Sequence, residues 1–546
     1  MTSSRYPLTA RRLLVPVLFC IALSIYLLGG VLDAQWSVYA DHELRSYWVG
    51  HQSLSLADIP RIMLQTEVGH PGEFTRYRPT NYLMYALEGV LWGDNPMWLN
   101  GVRLANLATF LVVTGVVLCR YFSSLITVGL CALLMTAHYW KHVLIGFGAN
   151  EQYILLVAPM FLWSYVRIYP TSSAAQRPSG ASHSSLGWWL LCCLSAALLA
   201  GIKENMTIVI LPMAWLAGLH WLRVRRLDLR LVLTVLTCLT IGFIIGAVMI
   251  GVRQVGTDFY GNSVTLGHRV STLLIQTTKY PMPIMLSVLL GLGLVGYLRV
   301  PTGSKPPVCS VLACHARRLF LPQAGLVVLS IAHIFFYEGW PLESRYAFPG
   351  EFFVFLTGTI VLKFSLEAIR ICYPSYQARS DLFFGLALIS IAMSMGYSGI
   401  RNQVEAYTVA SREFTQTLNA IVAQAKANPD TAIVVESATP YDLEPVFSIN
   451  RYLLSFEVNN PIYLRLHNLG IASFPDNSFF HGLIRTLEHL SAEGEVSSVQ
   501  SAGTLPSPFL AKFSRIDRFE PALPCFSIQL AQAPVLDCKR LGTVKY

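Results

Sequence analysis

Two short runs of chemistry-bearing residues, Asp41-His42-Glu43 and Arg76-Tyr77-Arg78-Pro79, bracket a polar stretch from Ala34 to Pro79. A carboxylate there can take a proton from a hydroxyl or, with histidine, hold a divalent ion, and arginine forks match a phosphate. Further ionisable residues stand at the edges of apolar segments: Glu151, Lys203-Glu204 and Glu343-Ser344-Arg345-Tyr346. Charges at membrane depth are costly, so each marks a candidate site. Each also has a plain structural account as a helix cap, a snorkelling pair or a solvated loop. What argues for chemistry is their gathering on one membrane face.

That face is set by the elements that carry it. The 546 residues are 53% hydrophobic and 13% charged, with a mean hydropathy of +0.49, too apolar for water-soluble domains. About eleven stretches approach the roughly 20 residues needed to span a bilayer. The net charge of +9 needs no nucleic acid, because basic residues collect in cytoplasmic loops. Arg5, Arg11 and Arg12 precede an apolar run from Leu13 to Leu32, read as an uncleaved first span. With that end inside, Arg120, Arg167, Arg223, Arg225, Arg226, Arg230, Arg317 and Arg370 fall in inside loops. Asp41, Glu43, Glu73, Glu151, Glu204, Asp258, Glu338 and Glu343 fall outside.

The reading along the chain is a polytopic α-helical membrane protein of about eleven transmembrane helices, residues 1–398, followed by a C-terminal extracytoplasmic α/β domain, residues 399–546. The first extracytoplasmic loop, 33–98, carries the candidate site. Tyr82 to Trp92 is too short to cross and reads as an interfacial helix, with Trp92 and Trp98 at headgroup depth. Lys203-Glu204-Asn205 joins two short spans at one face. In the tail, 403–427 has helical periodicity, 431–435 and 462–466 read as strands, and 443–456 as a further helix. Cys525 and Cys538, the tail's cysteines, are expected to form a disulfide in an oxidising compartment. Cys20, Cys119, Cys131, Cys192, Cys193, Cys238 and Cys372 read as small hydrophobes. Cys309 and Cys314-His315 make only a weak metal signal.

With these residues in place the chain resembles the GT-C superfamily of membrane glycosyltransferases, particularly protein O-mannosyltransferase-like members using a polyprenyl-phosphate sugar. The resemblance rests on the acidic Asp41-His42-Glu43 soon after the first span, similar to the D-x-D-type motif of that family's first loop. Arg76-Tyr77-Arg78-Pro79, an apolar helix and Gly93-Asp94-Asn95-Pro96 follow in the family's order, before a span bearing Arg103 and Asn106. Lys203-Glu204 and Ser344-Arg345-Tyr346-Ala347-Phe348-Pro349 resemble later family segments, and the likeness covers roughly 10–365. His42 splits acids that many relatives have adjacent, and the third-to-fourth loop lacks their acid, leaving Glu151 as its nearest substitute.

The resemblance implies transfer, with inversion, from a polyprenyl-phosphate donor to a glycan, lipid or protein acceptor outside the membrane. Asp41 is the candidate general base and Glu43 the second choice. Arg76, Arg78, Lys203 and Arg345 would hold the donor phosphate, with His42, Glu151, Glu204 and Tyr346 in support. A divalent metal, Mg or Mn, on Asp41, His42 and Glu43 stays open, and no other cofactor is expected. The competing readings are a transporter or flippase of a lipid-linked or small polar substrate, and a non-catalytic scaffold. A bacterial inner membrane is the expected location.

Overall fold

The computed structural model describes residues 10–37, 55–60, 78–145, 151–168, 182–255, 323–330, 348–372, 377–437, 448–449, 452–453, 455–466, 514–515, 524–530 and 539–544, with 267, 271 and 332 singly. Among them the helices are α1 (Ala10–Leu28), α2 (Pro79–Trp92), α3 (Pro96–Leu118), α4 (Ser124–Leu134), α5 (Trp140–Val143) and α6 (Glu151–Ile168). They continue as α7 (Ser182–Ile202), α8 (Ile210–Val224), α9 (Leu229–Val255), α10 (Phe348–Cys372), α11 (Gln377–Met395) and α12 (Ser398–Ala427).

The protein is mostly helical. Among the described residues, five helices are long and apolar enough to cross a membrane, and a sixth if α11 and α12, bent by 44°, are joined. Two of the apolar stretches of the sequence, 284–298 and 319–337, lie outside the described residues, apart from helical residues 323–330 and 332. α4, from a stretch apolar enough to read as part of a span, has only 11 residues. At about 1.5 Å per residue that is roughly half of a hydrocarbon core. Lipid-facing surfaces are legible on the long helices. Leu229, Val232, Leu236, Leu239 and Phe243 of α9 are all exposed at helical spacing, as bilayer contact requires.

Several hydroxyls inside these helices are satisfied locally. Ser24 donates to Cys20 O at 2.8 Å, Thr237 to Leu233 O at 2.9 Å and Thr357 to Phe353 O at 3.0 Å. In hydrocarbon no water could do so. Between α8 and α9, Asp228 accepts from Leu231 N at 3.0 Å and faces His220 Nε2 at 2.9 Å, tying the hairpin at its loop end. Burial raises the Asp228 carboxyl, but that backbone N–H and His220 outweigh it and hold its pKa below the usual value. The cysteines Cys20, Cys119, Cys131, Cys192 and Cys193 are buried as free thiols, as small hydrophobes would be.

α12 joins the bundle to the tail. Ile400, Val404, Tyr407, Ser411, Phe414, Leu418, Ile421 and Ala425 form its buried face, a stripe at three- and four-residue spacing. Beyond it a five-stranded parallel sheet is ordered β3-β2-β1-β4-β5, from β1 (Ala432–Ser437), β2 (Ile462–Leu466), β3 (Ser514–Arg515), β4 (Cys525–Leu530) and β5 (Lys539–Val544). β1 and β2 cover the two expected strands. Ile433, Val434 and Val435 are completely buried, the continuous apolar run of a central parallel strand. Cys525 is disulfide-bonded. Its expected partner, Cys538, lies outside the described residues, next to Lys539, which pairs with Phe526 in the β4–β5 ladder.

α4 and α11 approach closely through small residues. A Cβ on Gly385 would lie 2.6 Å from Leu125 Cγ, and one on Gly129 2.7 Å from Leu388 Cβ. Gly385→Val is therefore expected to cost about 1–3 kcal/mol, read as a lowered thermal midpoint in detergent. Gly246→Ala, where an added Cβ meets nothing within 4 Å, should leave the midpoint unchanged.

Candidate functional site

The exit from α1 is the first part of the site to be fixed. Gly29–Asp33 forms a 3-10 turn and residues 34–37 run on without regular structure. A chain without a ladder must find partners for its backbone groups elsewhere. α12 supplies most of them. Gln35 N donates to Ser411 Oγ at 2.9 Å, Thr408 Oγ1 to Gly30 O at 3.3 Å, Arg412 Nε to Asp33 O at 3.0 Å and Thr415 Oγ1 to Trp36 O at 3.2 Å. Tyr452 adds a bond to Ser37 O at 2.8 Å, its ring lying edge-on to Trp36. Asn100 Nδ2 of α3 donates to Ala34 O at 3.1 Å. The chain is thus clamped four residues before Asp41; Asp41, His42, Glu43 and Arg76 lie outside the described residues.

The second approach is made by α2, whose first residue is Pro79 and whose N-cap is Arg78. Proline suits that position, since its missing N–H would have no helical partner. The start of α2 lies against the end of α7. A Cβ on Gly201 would lie only 2.3 Å from Thr80 Oγ1, so glycine permits the approach. Two residues on, Lys203 begins the 3-10 turn Glu204–Val209 that leads to α8. Its buried ammonium makes an ion pair with Glu151, the buried first residue of α6. The structure therefore joins two of the sequence candidates, Lys203 and Glu151, and sets Thr80, two residues after Arg78, against Gly201, two residues before Lys203.

Behind this pair lies a polar layer. Glu88 and Tyr85 of α2, Asn100, Arg103 and Asn106 of α3, and Gln152 and Tyr153 of α6 are all buried. Arg103 Nη1 donates to Asn100 Oδ1 at 3.0 Å, and the Tyr85 and Tyr153 rings meet edge-on at 5.6 Å. Burial pushes the Glu88 carboxyl from 4.5 up to about 7, although the Arg103 charge and the neighbouring Tyr153 hydroxyl pull it down. The Tyr153 hydroxyl faces the carboxyl without a hydrogen bond of standard geometry.

α2 is a packed helix with Thr80, Asn81, Tyr85, Ala86, Glu88 and Gly89 buried, and it ends at Trp92. There Trp92 stacks on Trp98 at 5.5 Å. The signal for Glu88 was a lone acid among apolar residues, its partner given by the polar stripe of α3.

Arg345 and Tyr346 lie outside the described residues, just before Phe348. The Phe348 ring packs on Trp140 at 5.0 Å and Tyr139 at 5.6 Å, fixing where α10 begins. The backbone at Glu204 is described, and it opens the 3-10 turn. Among the described residues, no group of three His, Cys, Asp or Glu side chains could hold a metal.

No family model matches the chain, and neither does any curated protein. Among solved structures it is similar to that of ArnT from Cupriavidus metallidurans in the apo state, at 12% identity and a TM-score of 0.36, over 82% of this chain and 85% of that one.

Lys203→Met should cost about 3–5 kcal/mol by stranding Glu151, and adding Glu151→Leu should restore much of it, both read by thermal melting in detergent. For Glu88, the raised pKa means the folded state favours the protonated acid. Its stabilising contribution is complete below about 4.5 and is lost as the pH rises through about 7. Glu88→Gln is thus expected to raise the midpoint relative to wild type at about pH 8 and to converge with it at low pH.

Proposed function

We propose that the protein is a membrane glycosyltransferase of GT-C type that transfers a sugar from a polyprenyl-phosphate donor to an acceptor on the extracytoplasmic face, with inversion. The observation that supports this reading is the buried Lys203–Glu151 ion pair, two residues after the Gly201 on which the start of α2 packs. A lysine held by a carboxylate at a bundle end, near the helix that Arg78 precedes, would suit a leaving phosphate better than a solvated surface.

In the reaction the acceptor oxygen attacks the anomeric carbon while the bond from that carbon to the lipid phosphate breaks. Asp41, or Glu43 as the second choice, takes the acceptor proton. Arg78 and Lys203, with Arg76 and Arg345, balance the charge gathering on the departing phosphate. Glu151 orients Lys203, and His42, Glu204 and Tyr346 support the loops around the donor. A Mg or Mn ion bound by Asp41, His42 and Glu43 would add positive charge near the phosphate. Eleven spans, with the N-terminus in the cytoplasm and the 399–546 domain outside a bacterial inner membrane, complete the proposal.

The test is sugar transfer by purified protein in nanodiscs with a panel of polyprenyl-phosphate sugars. Turnover is expected to fall about 10²–10⁴-fold in Asp41→Asn with donor binding kept. Lys203→Gln should lower turnover while Lys203→Arg retains part of it. Equal turnover in wild type and Asp41→Asn would move the base to Glu43, and no turnover with any donor, alongside transport of a lipid-linked substrate, would replace the reading by that of a transporter.

A further inference from the structure

α2, a helix of 14 residues, is held at three places by three different neighbours. Thr80 meets Gly201 at the end of α7, and the Tyr85 ring meets that of Tyr153 on α6 edge-on at 5.6 Å. Farther along, the Glu88 carboxyl lies within the field of Arg103 on α3 and faces the Tyr153 hydroxyl. The first two contacts are between uncharged groups and keep their strength at any pH near neutral. The third depends on a proton.

Glu88 is only 6% exposed, and among the described residues neither its Oε1 nor the Tyr153 hydroxyl has a hydrogen bond of standard geometry. A neutral carboxyl tolerates such a place, whereas a carboxylate left short of donors carries much of its desolvation penalty. The charged and titratable groups facing it are Arg103 from α3 and Tyr153 from α6, with Tyr85 beside Tyr153 on α2 itself. Burial outweighs them and raises the carboxyl to about 7, so both forms are populated near neutral pH. The donors that could serve a carboxylate belong to other helices, so ionisation is relieved by movement. The seat of α2 between α3 and α6 therefore loosens as the proton leaves.

A helix carries such a shift along its axis. Arg78, the N-cap, stands ten residues before Glu88, about 15 Å away at about 1.5 Å per residue. Two residues past the Gly201 that Thr80 touches, Lys203 is tied instead to Glu151 on α6. A shift of α2 thus changes the separation of these two cations.

We propose that Glu88 is a positioning residue: through α2 it sets the spacing of Arg78 from Lys203, and with it the grip on the phosphate of a lipid-linked donor. The proposal deepens the glycosyltransferase reading and rests on it. The protonated acid keeps α2 seated and the donor held, and the carboxylate loosens both.

The experiment uses the purified full chain in nanodiscs between pH 6 and pH 8.5, with two readouts. The first needs no donor. Trp92, one turn past Glu88, stacks on Trp98 of α3, so the near-ultraviolet circular dichroism of the pair reports the seat of α2, and Trp98→Phe identifies their share of the signal. Wild type is expected to show a change in that signal centred near pH 7, and Glu88→Gln, which keeps size without the charge, to show none. The second readout is donor KM against kcat. The donor phosphodiester does not titrate in this range, so a several-fold rise in wild-type KM from pH 6 to pH 8 is assigned to the protein. Glu88→Gln should hold the low-pH KM throughout, and Glu88→Asp should restore a pH-dependent KM. A tryptophan signal or a KM that titrates in Glu88→Gln as in wild type, or in neither protein, would overturn the proposal. No turnover with any donor would overturn the reading beneath it, and the tryptophan signal tells that failure apart from failure of the positioning role.

Discussion

A lysine and a glutamate taken out of water together constrain the end of the bundle where α6 begins and α7 stops. Desolvating either charge alone costs several kcal/mol, so neither can be buried until the other is in reach. Lys203 reaches Glu151 only if α7 stops where it does, α6 starts where it does, and the turn at Glu204–Val209 sends the chain into α8 at the right angle. Gly201 adds to this, because any larger residue would push away the start of α2. The ion pair thus fixes three helix ends at once, and they are the ends around which the candidate residues collect.

The other constraint on that end is backbone hydrogen bonding. Residues 30–37 lead out of α1, and hydroxyls and a guanidinium of α12 meet four of their backbone groups, with Asn100 and Tyr452 meeting two more. Placing Thr408, Ser411, Arg412 and Thr415 along one helix makes a polar ladder beside its apolar stripe. The same helix continues to the parallel sheet, so the approach to Asp41 and the tail share one rigid element. Backbone groups of the first loop are therefore coupled mechanically to the β1–β5 sheet, whatever that sheet binds.

Much of this was legible in the sequence, and the misses have physical causes. α1, α3, α8, α9 and α10 declare themselves as long apolar runs because hydrocarbon imposes its own length. β1 was legible for the same reason, as a parallel strand buried on both faces needs an unbroken apolar core. The partnership of Lys203 with Glu151 was not, since 52 residues and two helices separate them. Nor was the role of Glu88, because periodicity assigns a face but not what waits there. The strand order β3-β2-β1-β4-β5 was equally hidden, being decided by crossovers whose pairing leaves no local trace. The acids and arginines of the first loop, Asp41, Glu43 and Arg76, stand as the sequence left them.

The way charge is buried around Lys203 follows from what an enclosed site must exclude. Acids and bases are buried there in matched groups: Lys203 with Glu151, and Glu88 with Arg103 beside Tyr153. A lone charge in such a place would carry its whole desolvation penalty, whereas a matched set is close to neutral and can be enclosed. Because each group is held by its neighbours and not by water, such a set can also reorganise around a charge that arrives and departs.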